Sequence, residues 1–282
     1  MAPHPWRDAT AVVTGAASGI GLALSAALVQ RGANVWLTDV DAEKVRQAAE
    51  ALGPQARAAA LDVRDAPAVR ELIARVAREA GRIDYLFNNA GVGVSGEVHE
   101  LKVEAFDRII DVNIRGVVNG IMAAYPLMVK QRSGHIVNTA SMAGLTPVPL
   151  VVPYTMTKHA VVGLSTSLRL EAEVYGVRVS ALCPSAIETP ILDAEKAPNP
   201  DAPPWCPNTR RYLSRLAGGR PPYPVDKLAA ETLEAMEKNV GVIIIPDHSR
   251  KGARLNRWLP GLVEKGIRRV LAAERSARPA GS

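Results

Sequence analysis

Cysteine is scarce: 282 residues contain two, Cys183 and Cys206. They form neither a CxxC pair nor a metal-ligand spacing, which argues against a disulfide scaffold or zinc site and suits a reducing, cytoplasmic setting. The five histidines, His4, His99, His135, His159 and His248, are scattered, so no metal is expected. Long apolar runs are missing as well. None reaches the roughly 18–20 residues needed to cross a bilayer, so no transmembrane helix is expected. Met1 to Ala9 carries Pro3, His4, Pro5 and Asp8 where an export signal needs an apolar core. There is no solenoid-type repeat. A basic body is lacking too: the net charge is +6, but 249–282 holds nine Lys/Arg against two Glu, leaving the rest near −1. A nucleic-acid partner, which needs a basic face, is therefore not expected.

What is present is globular composition, 48% hydrophobic and 22% charged, enough for one large core. Short apolar runs read as strands over Thr10–Val13, Asn34–Thr38, Ala56–Leu61, Ile83–Phe87, His135–Thr139, Val177–Leu182 and Val242–Ile245. Most do not alternate in polarity, as expected of parallel strands covered on both faces. Between them lie helical patterns over Gly19–Arg31, Ala42–Ala51, Ala66–Ala80, Val103–Lys130, Tyr154–Tyr175 and Asp226–Asn239. This rhythm predicts an α/β fold: one domain, a doubly wound parallel sheet of about seven strands with right-handed crossovers. The domain spans 1–248. Pro190–Pro224, with nine of the chain's 21 prolines, predicts a loop-rich lid, and 249–282 a basic amphipathic tail.

The first predicted strand runs into Thr14-Gly15-Ala16-Ala17-Ser18-Gly19-Ile20-Gly21, where a helix begins. Glycines let the chain turn sharply and let backbone approach a pyrophosphate, while a helix N-terminus offers free N–H groups and a positive dipole end. This is the phosphate-binding turn of a Rossmann-type sheet, with Gly15, Ser18, Gly19, Ile20 and Gly21 as cofactor residues. The second strand ends at Asp39, 18 positions past the last glycine, where a carboxylate accepts from the adenosine ribose and repels a 2′-phosphate. No Arg or Lys lies in the turn or directly after Asp39, so the expected cofactor is NAD.

Tyr154 and Lys158 stand four apart in a helical stretch, which stacks them on one face. A phenol is a poor base at neutral pH, and a neighbouring ammonium favours its phenolate. Ser141 follows a strand at its C-terminal edge, where such sheets bind ligands. TGxxxGIG at Thr14–Gly21, Asn88-Asn89-Ala90-Gly91, Asn113, Ser141 and YxxxK at Tyr154–Lys158 together resemble the short-chain dehydrogenase/reductase family. They come in that family's order and spacing, over about Thr10 to Ile245.

The resemblance implies an NAD-dependent oxidoreductase passing hydride between nicotinamide and a secondary alcohol or ketone. It assigns Tyr154 as general acid/base and Lys158 to lower its pKa and bond the nicotinamide ribose. Ser141 would orient the substrate oxygen, and Asn113 would hold a water in the proton relay. Asp62, with Val63 beside it, resembles the adenine contact, and Asn89, Ala90 and Gly91 border the cofactor. The family's Pro-Gly after the sixth strand is here Pro184-Ser185, with Ile187 and Thr189 where the family contacts the carboxamide. Pro184, Ile187 and Thr189 are therefore expected at the cofactor, and Ser185 puts the turn geometry in question. Cys183 and His159 are read as structural. Equivalent helices in the family pair across a two-fold, so a homotetramer, or failing that a dimer, is expected.

Val94, Val148, Pro149, Leu150, Val151 and Trp205 suggest an apolar pocket and a hydrophobic alcohol, steroid-like or lipid-derived. In the tail, Leu255, Leu259, Leu262, Val263, Ile267 and Val270 recur at helical spacing between arginines, and Trp258 and the leucines lie opposite arginines. Packing on the lid or on a neighbouring subunit is the preferred reading. Peripheral contact with anionic lipid is the other.

Overall fold

The computed structural model describes residues 6–196, 203 and 205–278. Seven parallel strands form one sheet in the order β3-β2-β1-β4-β5-β6-β7. They are β1 Thr10–Thr14, β2 Asn34–Asp39, β3 Ala56–Ala60, β4 Tyr85–Asn88, β5 Gly134–Thr139, β6 Val177–Pro184 and β7 Val242–Ile245. The reversal of strand order lies between β1 and β4, so their C-terminal ends part and leave a crevice. β1 is buried along its whole length, whereas every residue of the edge strand β3 is half-buried or exposed.

Helices cover both faces. On one lie α1 (Gly19–Gln30), α2 (Ala42–Leu52) and α8 (Val225–Glu237), with Leu24, Leu28, Val45, Leu228 and Leu233 buried against Val35, Leu37 and Ile243. On the other lie α3 (Ala66–Ala80), α4 (Val103–Ile110), α5 (Gly116–Gln131) and α6 (Val152–Ala172), with Ile73, Val76, Ile121, Met128 and Val161 packed on Val12, Leu86 and Val179. Asp41 and Asp65 start α2 and α3 by accepting from the backbone of Lys44 and Ala68. Each satisfies an amide that the first turn leaves without a partner.

Several boundaries depart from the sequence-based expectation. β4 starts at Tyr85 instead of Ile83, because the Ile83 N–H and C=O are both bonded by the Gln131 amide side chain. Val152 and Pro153 join α6, since a proline costs nothing in a helix's first turn. The single helix expected over Val103–Lys130 is interrupted by a π turn at Asp111–Arg115. That whole stretch is long and apolar enough, by length and composition, to span a membrane, contrary to the reading from uninterrupted runs. A window that tolerates scattered charges passes it, and here Ile109, Val117, Ile121, Ala124 and Met128 are buried inside the fold.

The proline-rich segment is more ordered than a loop-rich lid implies. It carries a 3-10 turn, Pro190–Lys196, and the helix α7 (Thr209–Leu216), capped by Asn208 in a proline-free run. Residues 197–202 and 204 of that lid lie outside the described residues. The tail forms two helices, α9 (Ser249–Trp258) and α10 (Pro260–Ser276).

Candidate active site

A cavity of about 900 Å3 opens at the C-terminal ends of the strands. One end is the turn between β1 and α1. Gly15 is left-handed there (φ 63°), and a Cβ on it would sit 2.7 Å from the Ala90 backbone. A Cβ on Gly21 would meet the Gly15 carbonyl oxygen at 2.2 Å, so only glycine allows α1 to start this close to the turn. Ser18 is the N-cap of α1, makes no capping bond, and has no acidic residue in the turn after it. The first amides of α1 are thus left for an anion, which is the condition a pyrophosphate requires. The Asn89 amide donates to the carbonyls of Thr14 and Gly15 and ties β4 to the turn.

Asp39, at the end of β2, lines this end of the cavity and accepts from the backbone N–H of Ala17 at 3.1 Å and of Asp41 at 3.2 Å. Its carboxylate is thereby held beside the glycine turn. Asp62 and Val63 line the wall next to it. Arg64 lines it too, but its guanidinium is forked onto Asp62 at 2.6–3.0 Å and holds that carboxyl below the usual carboxylate range. That cation is committed to Asp62.

At the other end, Ser141, Tyr154 and Lys158 converge. β5 delivers Ser141 just past its last residue, and α6 presents Tyr154 and Lys158 one turn apart. The Ser141 hydroxyl acts to lower the pKa of the Tyr154 phenol and donates to the Pro184 carbonyl at 3.5 Å. Ser141 Oγ also accepts from the Ala143 amide at 3.1 Å. Lys158 is buried, with Nζ 2.7 Å from the Thr139 carbonyl oxygen and 5.3 Å from the centre of the Tyr154 ring.

The sequence reading expects Lys158 to lower the Tyr154 pKa by proximity. In the protein alone, burial pushes Tyr154 up to about 12, opposed by the Ser141 hydroxyl, and pushes Lys158 down to about 8. Desolvation outweighs the lysine because its ammonium points at the Thr139 carbonyl and not at the phenol oxygen.

Asn113 and Gly21 do not reach the cavity surface. Asn113 is buried in the π turn: its Oδ1 accepts from Val92 N–H, and its Nδ2 donates to Val92 C=O and Thr157 Oγ1. Its side chain therefore pegs the Gly91–Val92 loop to the start of α6. Gly15, Ser18, Gly19, Ile20, Asn89, Ala90, Gly91, Pro184, Ile187 and Thr189 all line the cavity. Ser185 fits without strain. Among the described residues the non-glycine residues with positive φ are Asp8, Arg132, Leu150 and Asn239, and the Ser185 N–H bonds the Ile245 carbonyl. Cys183 is buried, with its thiol pushed up to about 12, and His159 is exposed, bonded to the Thr155 carbonyl within its own helix.

Of the expected apolar wall, Val94, Val148 and Val151 line the cavity. Pro149, Leu150 and Trp205 do not. Leu150 and Trp205 pack with Tyr212, whose hydroxyl donates to the Pro149 carbonyl, in a cluster behind the wall. The wall also includes Met142, Leu213 and Leu216, with Val263 and Ile267 from the C-terminal helix α10, and Arg108, Arg220 and His248 are among its polar members. The sequence reading missed Val263 and Ile267 as site residues, although their helical spacing with Val270 marked a buried face.

Comparisons with known proteins agree with this geometry. A model of the short chain dehydrogenase family matches residues 9–200. Oxidoreductase UcpA of Salmonella typhimurium is 38% identical over 198 residues, covering 69% of this chain and 75% of that protein. A short-chain dehydrogenase/reductase from Burkholderia phymatum, solved in complex with NAD, superposes with a TM-score of 0.81 at 30% identity. The match covers 92% of this chain and 96% of that one. A 3-ketoacyl-(acyl-carrier-protein) reductase from Brucella melitensis, complexed with NADH, gives a TM-score of 0.76 at 27% identity, covering 85% and 97%.

Proposed function

The chain belongs to the short-chain dehydrogenase family of oxidoreductases, and from this premise we propose that it uses NAD to interconvert a secondary alcohol and a ketone carried on an apolar body. The observation that carries the reading is the convergence of Ser141, Tyr154 and Lys158 in one cavity with a glycine turn and Asp39. Two structural neighbours were solved with NAD or NADH. The residues here fit such a group, because the glycine turn leaves room for it and Ser18 leaves the first amides of α1 uncapped. Gly15, Ser18, Gly19 and Ile20 would hold its phosphates, Asp39 its adenosine ribose, and Ile187 and Thr189 its carboxamide end. When bound, the nicotinamide dinucleotide supplies the hydride acceptor or donor.

The chain's own groups handle the oxygen and its proton. In the oxidative direction Tyr154 takes the proton of the substrate hydroxyl, and Ser141 donates to the oxygen as charge develops on it. Lys158, its ammonium held by the Thr139 carbonyl, would bond the nicotinamide ribose. Asn113 is a positioning residue, holding the Gly91–Val92 loop and Thr157 in place. The apolar wall built by Val148, Val151, Leu213, Leu216, Val263 and Ile267 favours a hydrophobic substrate, steroid-like or lipid-derived.

We place the protein as a homotetramer or dimer, with α5 and α6 meeting their copies. Val118 and Met122 on α5 and Leu170 on α6 leave 38%, 65% and 74% of their surface exposed. Light scattering that gives the 30.0 kDa of one chain would refute the assembly.

The catalytic test is Tyr154→Phe assayed on a panel of secondary alcohols with NAD, followed by absorbance of the reduced cofactor. Turnover should fall by about 100-fold or more, the range that general acid–base catalysis supplies. NAD affinity should stay within about twofold, because binding loses only one hydroxyl. A variant retaining a tenth of wild-type turnover would remove Tyr154 from its role.

A further inference from the structure

The C-terminal helices α9 and α10 have two working faces. The inner one runs through Ser249 and Gly252 to Val263 and Ile267, which line the cavity. Asn256 on the same face donates to the Leu145 carbonyl, and the buried Glu274 ties α10 to α7 through Arg211 and Arg215. The outer face is apolar and uncovered where the helices meet. Leu255, Trp258, Leu259 and Leu262 leave 38%, 76%, 56% and 57% of their surface exposed, and Trp258 is the most exposed large hydrophobic among the described residues. Four exposed large apolar side chains within one eight-residue stretch are grouped as at an interaction surface, unlike the single exposed hydrophobics of an ordinary surface.

Cations surround this corner. Lys251, Arg254, Arg257, Lys265 and Arg269 are exposed, and among the described residues none has a carboxylate partner. Arg257 stacks on the Trp258 ring at 5.9 Å. The acidic groups nearby are already engaged, Asp247 with Arg250 and Glu264 with Arg268. A second copy meeting this face across a two-fold would oppose five cations to five cations, so the charge disfavours self-association. A nucleic-acid backbone would use the cations but leave the four apolar side chains in water.

We propose that the α9–α10 corner docks on an anionic lipid surface, with Leu255, Trp258, Leu259 and Leu262 in the headgroup–acyl boundary and the surrounding Lys and Arg on the acidic headgroups. Amphipathic helices with aromatic and leucine residues on one face and Lys and Arg beside it bind in this way. Because the same two helices form a wall of the cavity, docking sets that wall beside the membrane, where an apolar alcohol partitions. The docking itself does not depend on what the cavity binds.

The test uses the full chain with sonicated vesicles of phosphatidylcholine alone or mixed with phosphatidylserine. Binding by co-sedimentation should require phosphatidylserine and weaken as salt is raised. Trp6, Trp36 and Trp205 are buried, so emission should shift to the blue through Trp258 and remain unshifted in Trp258→Phe. The triple change Trp258→Ala, Leu259→Ala, Leu262→Ala, and separately Arg254→Glu with Arg257→Glu, should each lower vesicle affinity by about tenfold or more. Both should keep turnover on a soluble alcohol, which establishes that they fold. Equal binding to both vesicle types, an unshifted emission, or unchanged vesicle affinity in both variants would overturn the proposal. So would a Leu259→Glu variant whose assembly mass falls, which would give the corner to a second copy, or tighter binding to a DNA duplex than to the vesicles.

Discussion

The two ends of the cavity are built by different means. The cofactor end is made of backbone: a glycine turn with no room for a Cβ, amides at the start of α1, and the Asn89 side chain bonded to the carbonyls of Thr14 and Gly15. The substrate end is made of side chains from segments far apart in the chain. α10 is clasped to α7 by Glu274 with Arg211 and Arg215, and to the turn near residue 98 by Arg275–Glu97 and Arg278–Glu100. The first construction tolerates almost no change and needs little help from solvent conditions. The second is adjustable, because half-exposed ion pairs and a small apolar cluster can shift without unfolding the sheet. A scaffold of this kind can keep one cofactor while its substrate changes.

The sharpest way to break the contrast is Gly21→Ala. A single methyl would have to displace the Gly15 carbonyl, which it would meet at 2.2 Å. Cofactor affinity should fall by on the order of 3 kcal/mol, roughly a hundredfold, as overpacking against rigid backbone implies. A cofactor titration by fluorescence would read it, and a loss under about threefold would mean the turn is softer than its geometry.

Next in size is cofactor choice. A 2′-phosphate would bring about two negative charges toward the Asp39 carboxylate, and the expected preference for NAD over NADP is about 1.5–3 kcal/mol, or 10- to 150-fold. Arg64 does not cancel this, being forked onto Asp62. Asp39→Ala with Val40→Arg should lower or invert the ratio of kcat/KM for the two cofactors, with substrate KM unmoved.

Acid should separate sheet from clasp. His135, buried in β5 with its ring 2.9 Å from Ser180 Oγ, has its pKa pushed by burial from 6.5 down to about 3. A folded value below the unfolded one contributes stability that is present above pH 6.5 and lost as pH falls toward 3. Each pH unit in that window should cost up to about 1.4 kcal/mol. Urea melts between pH 6.5 and 5 should show the slope in the wild type and less of it in His135→Gln. The clasp carboxylates Glu274, Glu97 and Glu100 are held by arginines, and Arg275 holds the Glu97 carboxyl below its usual range. The imidazole beside them, His99 at 3.9 Å from Glu100, is exposed. Hydrogen exchange in α10 should then change less over the same interval than in β5.

The smallest expected effect is at the clasp itself. Glu274→Ala leaves two guanidiniums half-exposed, so the cost should be about 1 kcal/mol and not that of a fully buried pair. KM for an apolar alcohol should rise by roughly fivefold while cofactor affinity stays put. A change in both together would show that the two ends are not separable.

The sequence by itself determined the sheet, its parallel strands and the register of the cofactor end. Those depend on local patterns: uninterrupted apolar strands, a glycine where a Cβ cannot fit, and a four-residue spacing that stacks Tyr154 over Lys158. Only the tertiary structure decided that Asn113 spends its amide on Val92 and Thr157, and that Leu150 and Trp205 pack behind the wall. The same holds for Val263 and Ile267, which reach the cavity from beyond residue 249. The tail's apolar spacing showed that one face would be buried, but a helical period carries no information about its partner. That choice was made by contacts more than 50 residues apart, such as Arg211–Glu274. Only the folded chain brings such pairs within reach of each other.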